Sequence, residues 1–314
     1  MVRIQHRMSW QPPHLHLAHV SKRYDQVQAV HDLSLAVPRG AVYGLLGPNG
    51  AGKTTTIRMI MRITLPDSGT ITLGGVPLDD RLRERIGYLP EERGLYRKMK
   101  VLDHLIFLGE IRGLPRDEAR TRAAAWLDRL GLAEKAGRAV EELSKGMQQK
   151  VQFAGAVIHS PELVILDEPF TGLDPLATRQ LKDEIAAMAA RGVTVLLSTH
   201  VLPQAEELCQ HLCLINRGRA ILSGSLAEVR GRFNRHALRV VSSAGPAQLR
   251  AVPGVTEVHA REGEYVVTIA NHVSVATVIR ALAERVELHA VERHEATLEE
   301  IFLRAVEDDH AAAV

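Results

Sequence analysis

Cysteine is nearly absent: the 314 residues hold two, Cys209 and Cys213. They are too few and too closely spaced for the disulfide framework of a secreted domain, so a reducing cytoplasm is the expected setting. Charge of one sign is also scarce. A net charge of +2 with a pI of 8.6 is too mild for a nucleic-acid binder, which concentrates a strong basic excess on one face. Long hydrophobic runs are missing as well. No stretch approaches the roughly 18 apolar residues that a membrane span needs, and the opening "MVRIQHRMSWQPPHLHLAHV" has no continuous apolar core of the signal-peptide kind. A protein so composed works at a membrane only if a partner supplies the span.

What is present is an ordinary globular composition, 46% hydrophobic and 24% charged, in a chain long enough for two cores. "LHLAHVSKRY", "AVHDLSLAVPRG" and "AVYGLLG" read as strands, the last running into glycines. Then comes "GPNGAGKTTTIRMIMRI". Gly47, Gly52, Lys53 and Thr54 fit the phosphate-loop pattern G-x-x-x-x-G-K-T between a strand and an amphipathic helix. Glycines let backbone N–H groups close around phosphates, Lys53 reaches the β/γ oxygens, and the Thr54 hydroxyl suits Mg²⁺ at a helix N-terminus that already favours anions. A second apolar run, "ELVILDEP" (Glu162 to Pro169), ends in two acids. Asp167 is the candidate metal-side carboxylate and Glu168 the candidate base for a water attacking the γ-phosphate; the plainer alternative is two solvated acids capping the next element. A third strand, "VTVLLSTH", stops at His200, by itself an unremarkable strand-end histidine.

Taken in order, Tyr24, "GPNGAGKT", "YLPEERGLY", "LSKGMQQK", "LVILDEP", "TGLDP" and "STH" resemble the nucleotide-binding subunit of ATP-binding cassette (ABC) transporters, over roughly Leu15 to Gly224. The resemblance implies an α/β P-loop NTPase fold with a helical signature subdomain at about residues 97–160. It also implies binding of ATP and Mg²⁺ by two subunits packed head to tail, a homodimer being the simplest pair. The signature of one subunit would close over the nucleotide of the other, and a separate integral-membrane permease would hold the pair at the cytoplasmic face of the membrane, with no nucleic-acid partner. Carried over residue by residue, it gives Glu168, His200 and Lys53 catalytic roles. Nucleotide contacts fall to Tyr24, Gly47, Asn49, Gly50, Ala51, Gly52, Lys53, Thr54, Thr55, Ser144, Gly146 and Asp174, and the metal to Thr54, Asp167 and Glu91. Two departures stand out. The family's usual Leu-Ser-Gly-Gly-Gln is altered by Lys145 and Met147, and a glutamate, Glu91, stands where the family places a glutamine. Lys145 is either a solvated side chain or an added cation beside the triphosphate. Two other readings stay open: a soluble ABC ATPase doing mechanical work away from membranes, and a sensor that binds ATP without turnover.

The helical stretches "VLDHLIFLGEIRGL" and "DEARTRAAAWLDRLGL" carry apolar residues at helical spacing, for a permease contact by the resemblance or for a core of their own. We set the domain boundary at 235/236, separating an ATPase domain, 1–235, from an accessory domain, 236–314. The accessory order is strand, short helix, hairpin around Glu262 and Gly263, helix, strand and a final helix opened by Thr297 and Glu300 as a capping box. That order points to a small ferredoxin-like α+β domain, for regulation or dimer contact, and its ending "LEEIFLRAV" resembles the sodium- and drug-extruding exporter branch. His14, His16 and His19 are expected in a frayed surface segment. Cys209, His211 and Cys213, lacking a fourth ligand, suit burial better than zinc.

Overall fold

The computed structural model describes residues 13–92, 94–233, 237–261, 263–270 and 272–312. The opening segment through Pro12, the 235/236 boundary and the hairpin residue Glu262 lie outside them. The chain forms two compact units, Met1–Leu226 and Ala227–Val314.

The first unit opens with the antiparallel pair β1 (Leu15–Tyr24) and β2 (Val27–Val37), followed by β3 (Val42–Leu46), α1 (Lys53–Ile60), β4 (Ser68–Leu73), β5 (Val76–Pro77), the one-turn α2 (Asp80–Arg83) and β6 (Ile86–Leu89). Three helices come next, α3 (Val101–Ile111), α4 (Arg116–Arg129) and α5 (Lys145–Val157). The unit then returns through β7 (Leu163–Asp167), α6 (Pro175–Ala190), β8 (Thr194–Thr199), α7 (Leu202–Leu208), β9 (His211–Asn216) and β10 (Arg219–Ser225), and α8 (Leu226–Phe233) spans the division between the units. One sheet, ordered β2-β1-β4-β5, is antiparallel; the other, β10-β9-β3-β8-β7-β6, is parallel but for β10 at its edge. Every residue of β3, β7 and β8 is buried, as expected of strands covered on both faces. Their uninterrupted apolar runs are what make them central rather than edge strands.

The helices α3, α4 and α5 pack on one another and bury Leu105, Ala119, Ala123, Leu127 and Phe153. Large apolar side chains so enclosed contribute about 1.5–3 kcal/mol each, so most of the apolar spacing in this stretch serves the unit's own core. A Cβ on Gly155 would stand 2.4 Å from Leu108 Cδ1, so that leucine would have to turn aside.

The expectation of a frayed start fails at His14, which is 2% exposed. Its backbone N–H donates to the Val37 carbonyl at 2.8 Å and Nδ1 lies 2.6 Å from Thr194 Oγ1. Pairing of β1 with β2 pulls it in. His19 instead faces Asp32 at 2.8 Å in an exposed setting, so these histidines do not converge. Cys209 and Cys213 are free and buried, and among the described residues no group of three or more His, Cys, Asp or Glu side chains is arranged to hold a metal ion unaided.

The second unit has β11 (Ala237–Ser242), α9 (Pro246–Arg250), β12 (Val255–Arg261), β13 (Glu264–Ile269), α10 (Val275–Arg285), β14 (Leu288–Arg293) and α11 (Leu298–Ala312). Its antiparallel sheet is ordered β12-β13-β11-β14, the ferredoxin-like arrangement. Leu238, Val240, Val267, Val278 and Leu282 form its core. At α11 the Thr297 hydroxyl accepts from the Glu300 N–H at 3.3 Å while Glu300 Oε2 accepts from the Thr297 N–H at 3.1 Å, a reciprocal capping box.

Candidate nucleotide site

The register of the parallel sheet assembles the site. β8 lies between β3 and β7, with Leu46 opposite Thr199 and Asp167 opposite Ser198. The carboxyl ends of three strands therefore come together, where ligands bind in open α/β sheets.

The loop after β3 wraps the start of α1. Gly47 has φ 152° and a Cβ there would stand 2.2 Å from the Ile215 carbonyl; Gly52 has φ 106° and a Cβ would stand 2.5 Å from the Ala29 carbonyl. Any side chain at either position would push the loop off β9 or β2. Lys53 folds back and donates to the Gly47 and Pro48 carbonyls at 2.7 and 3.1 Å. Burial lowers its pKa, against the opposing pull of the Glu168, Asp167 and Glu91 carboxylates. A cavity of about 540 Å³ opens here, lined on the loop side by Asn49 to Thr55 and across from it by Glu91, Asp167 and Glu168. Its size is in the range of small-molecule sites.

Asp167 is 1% exposed, and burial raises its pKa. Oδ2 accepts from the Thr54 hydroxyl at 3.3 Å, whereas Oδ1 is buried with the Ser198 hydroxyl beside Asp167 but no well-formed hydrogen bond among the described residues. A buried carboxylate oxygen so placed, beside a threonine hydroxyl, fits Mg²⁺, a hard cation that takes oxygen ligands and completes its shell with phosphates and water. Glu168, with φ 48°, holds a left-handed conformation unusual for a side-chain-bearing residue, a local strain of the kind found at functional sites. Its Oε2 accepts from the Thr199 hydroxyl at 3.0 Å; Oε1 accepts from the His200 N–H at 2.9 Å and lies 2.7 Å from His200 Nδ1. With Nδ1 committed to Glu168, Nε2 is the ring nitrogen left for a ligand.

Other expected residues lie elsewhere. Tyr24, 42% exposed, is one strand over, paired with Val27, which does line the cavity. Ser144 caps α5, accepting from the Met147 N–H at 3.3 Å, and Asp174 caps α6, accepting from the Ala177 N–H at 2.9 Å. Gly146 packs beside the Gly172–Leu173 loop. Neither Ser144, Gly146 nor Asp174 lines the cavity around Lys53. Both Ser144 and Lys145 are exposed. Residues not anticipated complete the wall: Val27, Gln28, Ala29, Arg217 and Gly218. The "NRG" turn after β9 was a legible hairpin signal, but nothing local announced that Gly218 would donate to the Ala51 carbonyl at 2.9 Å.

With this geometry in hand, comparison with known proteins is direct. Residues 30–171 match the ABC transporter family and residues 224–306 the C-terminal domain of DrrA1-3-like ATP-binding proteins. The chain is 38% identical over 292 residues to the ABC transporter ATP-binding protein YhaQ of Bacillus subtilis, covering 93% of this chain and 98% of that one. To the linearmycin resistance ATP-binding protein LnrL of the same organism it is 32% identical over 301 residues, covering 92% and 97%. A solved ATP-binding subunit of an ABC transporter superposes with a TM-score of 0.65 at 35% identity, covering 70% of this chain and 92% of that one. The chain belongs to the ATP-binding proteins of ABC transporters, nucleotide-binding ATPases of the P-loop fold.

Proposed function

We propose that this chain is the ATP-hydrolysing subunit of an exporter, acting as a head-to-tail pair beneath a separate membrane permease. The observation that carries the reading is Glu168, fixed by Thr199 and His200 at the wall of the Lys53 cavity. Backbone N–H groups of the Gly47–Thr54 loop bind the phosphates, Lys53 releases its loop carbonyls to neutralise them, and His200 Nε2 meets the γ-phosphate. Glu168 is already oriented by its bonds to Thr199 and His200, and Oε2, which among the described residues accepts only from the Thr199 hydroxyl, has a lone pair left to take the proton of the attacking water, a role worth roughly 10² to 10⁴ in rate. Thr54 and Asp167 would hold Mg²⁺, with Glu91 beside them in the lining of the same cavity; the ion, when bound, would neutralise charge on the β/γ oxygens. A sensor without turnover would have no use for this strained, fully bonded glutamate.

Head-to-tail pairing rests on Ser144. It is an exposed helix cap that faces no nucleotide of its own chain, yet a helix N-terminus with a hydroxyl suits an anion; the nucleotide of a second copy supplies one, and Asp174 and Gly146 belong to the same surface. Among the described residues no helix is long and apolar enough to cross a membrane, which leaves the span, and attachment to the cytoplasmic face, to the permease. The export direction follows the resistance relative. Mixing Ser144→Arg with Lys53→Ala tests the pairing. Each homodimer lacks both composite sites, whereas the mixed dimer regains one, made by intact Lys53 and intact Ser144, so ATPase activity should reappear on mixing. Mixed dimers shown to form yet remaining inactive would refute the composite site.

A further inference from the structure

Helix α5 carries two buried glutamines, Gln149 and Gln152, three residues apart and so on one face. Each reaches a loop bearing an acid of the nucleotide site. Gln149 Nε2 donates to the Pro169 carbonyl at 3.0 Å, one residue past Glu168. Gln152 Nε2 donates to the Pro90 carbonyl at 3.0 Å and the Glu92 carbonyl at 3.1 Å, holding the chain on both sides of Glu91. Carbonyls only accept, so the amide orientation is fixed by its partners, and both N–H groups of one carboxamide are used. Gln152 Oε1 is buried without a partner among the described residues. An apolar side chain of the same volume would fill this space with no orphaned acceptor, so packing alone does not account for a glutamine here.

We infer that Gln152 is a positioning residue for the nucleotide site: by clamping the backbone on either side of Glu91 it holds that carboxylate toward Lys53, Thr54 and Asp167. The clamp stands on the helix that Ser144 caps, eight positions earlier and thus about 12 Å away along the axis. The metal side of one site is thereby tied to the surface offered to the second chain. The inference rests on the proposed approach of Glu91 to Mg²⁺.

The readout is the Mg²⁺ gain, the ratio of ATP affinity measured with Mg²⁺ to that measured without it. A third carboxylate beside Asp167 and Glu168 disfavours metal-free triphosphate and favours the metal complex, so removing or misplacing it lowers the gain. Gln152→Met keeps the volume and removes both donors. Losing two hydrogen bonds should lower the gain roughly 10-fold and speed amide exchange around Glu91 in the nucleotide-free protein by a similar factor. Glu91→Gln should lower the gain as well, and the double variant should match Glu91→Gln alone, since Gln152 acts through Glu91.

A gain lowered by Glu91→Gln but unchanged by Gln152→Met overturns the clamp while leaving the Glu91 reading intact. Additive effects in the double variant overturn it too, by showing that Gln152 acts elsewhere. A gain unchanged by Glu91→Gln removes the metal reading of Glu91, and the clamp's role falls with it. If Gln152→Met does not fold, Gln152→Leu, which is likewise uncharged and without a donor, takes its place and the same outcomes decide.

Discussion

Replacing Glu168 by glutamine separates chemistry from structure at the centre of the site. The carboxamide oxygen can keep the contacts of Oε1 with the His200 N–H and Nδ1, now 2.9 and 2.7 Å. The new amide N–H faces Thr199 Oγ1, 3.0 Å away, and the hydroxyl rotates to accept it. The left-handed backbone at φ 48° is no harder for glutamine than for glutamate. The fold therefore loses at most about 1 kcal/mol, the scale of one exchanged hydrogen bond, or about 2–4 °C in Tm for a unit of this size. The chemistry loses far more. Without a group to take the water's proton, kcat should fall roughly 10²- to 10⁴-fold, equivalent to about 2.7–5.5 kcal/mol of barrier. ATP affinity should stay within about threefold, because the loop and Lys53 are untouched. The assays are equilibrium ATP binding, single-turnover phosphate release, and gel filtration with ATP, in which the variant should accumulate as a dimer. Turnover within about threefold of wild type would remove Glu168 from the mechanism, and a collapse of binding together with turnover would mean that its structural bonds outweigh its chemistry.

Gly52→Ala places a methyl group 2.5 Å from the Ala29 carbonyl at φ 106°, so the loop must shift and ATP should bind at least about 10-fold more weakly; unchanged affinity in a titration would show that β2 yields instead. His104 is fully buried, with neither ring nitrogen hydrogen-bonded among the described residues, and burial pushes its pKa down to about 4. The unfolded chain takes up that proton near its ordinary 6.5, so stability present above that pH is lost as pH falls from about 6.5 toward 4, about 2 kcal/mol of it by pH 5. His104→Leu should flatten the fall of Tm between pH 7 and 5, and an equal fall in both proteins would refute the assignment. Burial drives the Cys209 and Cys213 thiols up to about 12, so a disulfide reagent at pH 7.5 should label them only on unfolding; rapid native labelling would contradict the packing of Cys209 at the end of α7 and of Cys213 in β9.

Much of the molecule was legible because its signals are local. The phosphate loop is a strand, a glycine-rich turn and a helix start within a few residues, and the apolar runs ending at Asp167 and Thr199 mark buried parallel strands without reference to anything distant. The accessory elements read correctly for the same reason: periodicity and caps act over one or two turns. The frayed reading of His14 failed because its burial comes from Val37 and Thr194, neither of which a window around residue 14 contains. The resemblance implies ligand roles for Asp174 and Ser144, and within one chain each caps a helix.

By itself, then, the sequence determined which groups this protein owns: a phosphate loop, two acids at a strand end, a histidine after another, and a serine at a helix start. Only the tertiary structure decided which of them meet. The order β9-β3-β8-β7 sets His200 against Glu168, seats Gly218 on the phosphate loop, and leaves Gln152 of α5 holding the loop of Glu91. Those encounters depend on hydrogen-bond register and side-chain packing between segments far apart along the chain, and such pairings are selected by the folded state as a whole rather than by any local run of residues.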